Sequence, residues 1–143
     1  MSCVLRVTGD FDPQHFLTDS PWQAEAIRQR GETLGRNRVA LHSGFNVLVS
    51  EAGFDAPAEQ MLEATAFLTQ HEQEFARLKA LPRATASLDF GVAQRELPAW
   101  SVRLPAKLIE LAGRCGLDVE LSFYAIREEN EDTEQSADSI RRI

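Results

Sequence analysis

The run that most restricts how this chain can fold is "RATASLDFGV", residues 83–92. In an extended backbone Ala84, Ala86, Leu88, Phe90 and Val92 lie on one side, and Thr85, Ser87 and Asp89 on the other. A period of two with one apolar side is the signature of a strand buried on one face only. Such a strand needs partners for its backbone groups and a second layer over its apolar face.

Partners are present in the sequence. "CVLRVTG" near the start and "LDVELSFYAI" near residue 120 alternate in the same way. So does "NRVALHSGFNVLVSEAG", where Val39 and Leu41 open a strand continued by Phe45, Val47 and Val49, with Gly44 read as a bulge. Trp100, Val102 and Leu104 form a shorter alternating piece, read as a further strand.

The covering layer is also legible. Asp55 reads as an N-cap ahead of Pro57, and Met61, Thr65, Leu68, Phe75 and Leu78 give a long helical stripe that Pro82 ends. Pro105 opens a second amphipathic helix with Leu108, Leu111, Ala112 and Cys115 on one side, and Gly116 supplies the left-handed stop. Near the start, "GDFDPQH" places Asp10, Asp12 and His15 close together. Asp before Pro is a helix-start signal, so Asp12 is read as the N-cap of a short helix rather than as a metal ligand. The stretch "SPWQAEAIRQRGE" is ambiguous: its Ala, Glu and Gln content suggests a helix, but whether residues 22–30 are helix or strand stays open on the residues alone. The expected architecture is an α+β two-layer sandwich: a mainly antiparallel sheet, two amphipathic helices on one face, and a ferredoxin-like or related topology.

With 143 residues the chain is read as one domain over 1–126, long enough to bury about 68% of its unfolded surface. Residues 127–143 hold six acids and three bases with no aromatic, and are read as a mobile acidic tail. The formal net charge of −7 argues against a nucleic-acid partner. No apolar run is long enough to cross a bilayer, and "MSCVLRVTG" enters a strand pattern with no leader-like segment, so no membrane association is expected. Cys3 and Cys115 are too few for a disulfide framework and too isolated for zinc, which suits a cytoplasmic protein with reduced thiols.

Several runs together resemble a known bacterial family. "LRVTGDFDP", "IRQRGE", "SGFNVLVSEA" and "LIELAGRCGLDVELSFY" are similar to the family named domain of unknown function 4279, over most of residues 3–126. The resemblance implies a compact bacterial α+β domain in which "QAEAIRQRGE" is a strand ending in a tight turn at Gly31. That family has no established reaction, so no catalytic residue carries over.

Few residues point to chemistry. Arg28, Arg30, Arg36 and Arg38, with His42 beside them, are the candidate anion site, because guanidinium forks bind carboxylates and phosphates bidentately. The competing reading is a solvated hairpin neutralised by Glu25 and Glu32. His42 with Ser43 lacks a nucleophile elbow, and His71 beside Glu72 and Glu74 reads as a solvated helix face. Asp89 and Glu120 would meet if their strands were neighbours. Trp22, directly after Pro21, and Trp100, two residues past Pro98, are candidate binding anchors or core caps. No metal ligand set or cofactor motif is present in the sequence. The reading with most support is a non-enzymatic binding or protein-interaction module, of immunity type in one version, working as a homodimer through an open sheet edge at "WSVRL" or around Ile27. The alternative is a small enzyme or anionic-ligand-binding protein using the Arg28–Arg38 segment and His42.

Overall fold

In a computed structural model residues 2–125 are described, and the acidic stretch 127–143 lies outside them. The chain runs β1 (Cys3–Gly9), α1 (Pro13–Thr18), β2 (Ala24–Arg28), β3 (Ser43–Ser50), α2 (Pro57–Gln70), α3 (Glu72–Lys79), β4 (Ala84–Gln94), α4 (Ala106–Arg114) and β5 (Asp118–Ala125). The strands form one sheet in the order β2-β3-β1-β4-β5. Three pairings are antiparallel and the fourth, β4 with β5, is parallel. The parallel pair is the one joined through a helix, as a parallel crossover requires. β1 and β2, also joined through a helix, run in the same direction with β3 inserted between them.

The fold is thus an α+β sandwich, and its alternation decides which face is covered. Cys3, Leu5, Val7, Phe45, Val47, Leu88, Phe90 and Val92 pack under Met61, Leu68, Phe75, Leu78, Leu108 and Leu111 as one core. All four helices contribute to that layer: the short helix expected after Asp12, the two pieces of the expected long helix, and the helix that follows Pro105. The expected long helix is two helices, α2 and α3, meeting at His71. Hydrogen bonds from the His71 amide to Phe67 O and from the Phe75 amide to His71 O span the junction, so the stripe continues through a kink. The His71 ring packs on Phe67 there, with centroids 4.4 Å apart.

Local signals hold at the first helix. Asp12 is the N-cap of α1, its Oδ1 accepting from the amides of Gln14 (3.1 Å) and His15 (3.3 Å). Asp10 faces the other way, 3.2 Å from Arg83. Gly116, at φ +72°, follows the end of α4 as expected. Within the segment 22–30, Ala24–Arg28 form strand β2, with Gly31 in a left-handed turn three residues beyond.

Four expectations change. Asp55 is not the cap of α2; the helix starts one residue later, behind Ala56, with no side-chain bond at its end. The β3 strand begins at Ser43, and Val39 only bridges to Thr33. Gly44 is not bulged within its pairing to β1; the register slips instead in β2, between Glu25 and Arg28, where Ala26 takes φ +49°. Trp100–Leu104 is no strand. Trp100, Val102 and Leu104 turn inward against the core while Ser101 and Arg103 face out. An extended segment running over a core alternates without any ladder, and prolines at 98 and 105 remove amide donors at its two ends.

Burial fixes the chemistry of both thiols. Cys3 is pushed up to about 12, first by burial and then by the charges of Asp89 and Glu63. In the unfolded chain that thiol ionises near 9.0, so above this pH only the unfolded state loses the proton. Stability is therefore full below pH 9.0 and falls as pH climbs towards 12, by about 1.4 kcal/mol per pH unit from this group. Cys3→Ala should remove that slope. Chemical denaturation of both proteins at about pH 8 and pH 10.5 checks it, and equal slopes would contradict the assignment.

Candidate functional site

The connection between β2 and β3, residues 29–42, is far longer than a hairpin turn needs. It folds on itself. The Gly31 amide donates to Ala40 O (2.9 Å), the Ala40 amide to Glu32 O (2.8 Å), and the Leu34 amide to Arg38 O (2.7 Å). Thr33 and Val39 bridge between these bonds. At the tip Gly35 (φ +66°) and Asn37 (φ +55°) take the left-handed conformations that reverse the chain. The base is held by the Arg30 amide on Ser43 Oγ (2.9 Å) and the Gln29 amide on Glu32 Oε2 (3.1 Å). The result is a small second hairpin beyond the end of β2, exposed from Gln29 to Val39 and buried at Ala40.

The structure places the four arginines on this arm but does not gather them. β2 ends at Arg28, whose Nη1 donates to Ala26 O (3.0 Å). Arg30 points elsewhere, 3.9 Å from Asp10, which Arg83 already pairs. Both pairs are exposed, and each contributes no more than about 1 kcal/mol. Arg36 and Arg38 are exposed near the tip and make no side-chain hydrogen bond or ion pair among the described residues. His42 is exposed at the arm's foot, also without a polar partner among them.

Apolar side chains share the arm. Of nine large apolar residues exposed among the described residues, Ile27, Leu34, Val39 and Leu41 fall on it or at its root, Leu41 being 77% exposed. Single exposed leucines are ordinary, but on this element they alternate with the arginines.

Two concavities lie away from the arm. A groove of about 330 Å³ runs between α3 and α4, with Phe75, Leu111 and Cys115 below and Glu72, Lys79 and Arg114 at the rim. The rim cations are spoken for: Lys79 donates to Arg114 O (3.3 Å) and Arg114 to Glu110 (2.9 Å), and both sit in last helical turns, where they complement the dipole. A wider depression of about 860 Å³ lies where β4 and β5 end, beside Asp55, Arg95, Leu97 and Ala125. Neither is lined by Arg28, Arg30, Arg36, Arg38 or His42.

The remaining candidates separate. Trp22 is buried (6% exposed) among Phe16, Phe45, Phe67 and Phe75, so it caps the core. Trp100 is half-buried, with its ring edge-on to Phe123 at 5.5 Å. Asp89 and Glu120 do sit side by side on β4 and β5, yet they form no carboxylate pair. Asp89 is buried and accepts from Arg6 Nε and Nη2 (3.2 Å each) and from Ser122 Oγ (2.6 Å). Arg6 and Ser122 were invisible as partners because only strand order brings them to Asp89. Among the described residues no three His, Cys, Asp or Glu side chains gather as a metal site. Compared with protein-family models, curated proteins and solved structures, the chain finds no match in any of the three.

Proposed function

We propose that the chain is a protein-interaction module of the bacterial cytoplasm, of the family its sequence resembles, and that the arm of residues 28–42 is its contact element. The observation that carries this reading is the interleaving of Arg28, Arg30, Arg36 and Arg38 with exposed Leu34, Val39 and Leu41 on one hairpin. Four arginines against one glutamate stand out in a chain of net charge −7, so the arm fits an acidic protein surface with apolar pockets. The same net charge disfavours a long phosphate backbone. Two buried free thiols suit a reducing compartment. Two copies act together in this reading, and strand order β2-β3-β1-β4 is read as the ferredoxin-like part, extended by β5.

A synthetic acidic amphipathic peptide of Glu and Leu tests the reading. It should bind the wild-type chain at low salt and weaken as salt is raised. Arg36→Glu with Arg38→Glu should weaken it by about tenfold or more, or ~1.4 kcal/mol. Binding that ignores both substitutions would contradict the reading. So would tighter binding of an oligonucleotide or of anionic vesicles.

A further inference from the structure

The two edges of the sheet are built differently. β2 is broken by its register slip and by the left-handed Ala26, and irregularity of this kind guards an edge against pairing. β5 is regular, matched to β4 residue by residue from Asp118 to Ala125. In a parallel ladder alternate residues turn their N–H and C=O groups away from the partner. Among the described residues no strand takes those groups on the outer side of β5. Two aromatics lie on this strand, Phe123 at 50% and Tyr124 at 45% exposed, braced by Trp100 and by the Phe54 ring stacked on Tyr124 at 5.0 Å.

We infer that β5 pairs antiparallel with β5 of a second copy about a two-fold axis through Leu121, which joins the two sheets into one. This builds on the two-copy reading above but uses a surface at the opposite edge from the arm. Parity narrows the register to those that keep both cores on one side, and the apolar residues choose among them. Directly opposed residues in an antiparallel pair share a face, and the core side of β5 is Val119, Leu121 and Phe123, the partners of buried Leu88, Phe90 and Val92. Centring on Leu121 sets Leu121 against its copy and Val119 against Phe123, an apolar row continuous with both cores. On the other face Glu120 meets Ser122 and Asp118 meets Tyr124, so no like charges oppose. A slip of one residue sets Phe123 against Glu120 and turns the two helix layers to opposite sides. An isologous contact of this kind closes as a dimer and leaves no further β5 edge to extend.

Sedimentation of the full chain at tens of micromolar should show a dimer. Phe123→Lys should weaken it by at least about tenfold while the circular dichroism spectrum stays native. Leu121→Cys should cross-link as a covalent dimer under mild oxidation, since opposed Cα atoms about 4.5–5.5 Å apart lie within disulfide reach. The wild-type chain, with both its thiols buried, should not cross-link. A monomeric wild-type chain overturns the inference, as does a dimer that survives Phe123→Lys or does not cross-link through Leu121→Cys. Arg36→Glu with Arg38→Glu should stay dimeric, so failure at the edge and failure at the arm are read separately.

Discussion

Trp22→Ala should lower the unfolding free energy by about 3–5 kcal/mol, the cost of emptying a large aromatic site in a packed core. The ring lies 5.1 Å from Phe75, 6.1 Å from Phe67 and 6.2 Å from Phe16, so its loss leaves a space walled by four phenylalanines with little freedom to collapse. Trp22→Phe should cost far less. The indole Nε1 is buried with no hydrogen-bond partner among the described residues, and an unmade donor of that kind costs about 1–3 kcal/mol. Phenylalanine keeps most of the apolar contact and removes the donor. Thermal and urea denaturation of both variants measure the difference. An alanine variant that melts with the wild type would mean that Trp22 faces outward as a binding anchor.

Gly44→Val should cost about 3 kcal/mol, the upper part of the range for overpacking. A Cβ at Gly44 runs into the carbonyl oxygen of Val7 on the neighbouring strand, with the Arg28 guanidinium 3.0 Å away. The arginine can swing aside, but the carbonyl belongs to the central strand of the sheet and cannot move without opening the β1–β3 ladder. Gly113→Ala provides the contrast of opposite sign. None of the described residues comes within 4 Å of a Cβ there, and alanine within a helix should gain roughly 0.5–1 kcal/mol over glycine. A Gly44→Val protein as stable as the wild type would show that β1 and β3 are less closely apposed.

What could be read from the residues was what short-range periodicity reports. β1, β4 and β5 show their apolar sides, Asp12 and Pro13 mark a helix start, and Gly116 marks a helix end. Alternation tells which side of a segment is covered, but not by what or beside which strand. That is why Trp100–Leu104 mimics a strand, and why the parallel partnership of β4 and β5 could not be foreseen. β2 could be read as a strand only through the family resemblance: "AEAIR" is a half-solvated, slipped edge, and apart from Ile27 its residues have little strand preference.

The candidate site was legible only as composition. The arginines of 28–38 could be counted, but where each guanidinium goes depends on where β2 stops. Because it stops at Arg28, Arg28 bonds Ala26 and Arg30 leans towards Asp10, and no common cradle forms between them. The exposed apolar residues were misleading in sequence. Val39 and Leu41 read as the start of a buried strand, whereas the arm holds both in solvent. The same residues that overturn the strand assignment are the ones on which the proposed contact role rests.

Amide NMR of the labelled chain titrated with the Glu/Leu peptide tests the central claim most directly, because it reports every backbone position at once. The largest shifts should fall between Gln29 and His42, grow with peptide concentration and fade in high salt. The helix groove beside Cys115 and the β5 edge should stay still. Shifts centred on either of those surfaces, or none on the arm at millimolar peptide, would contradict the assignment of the arm as the contact element.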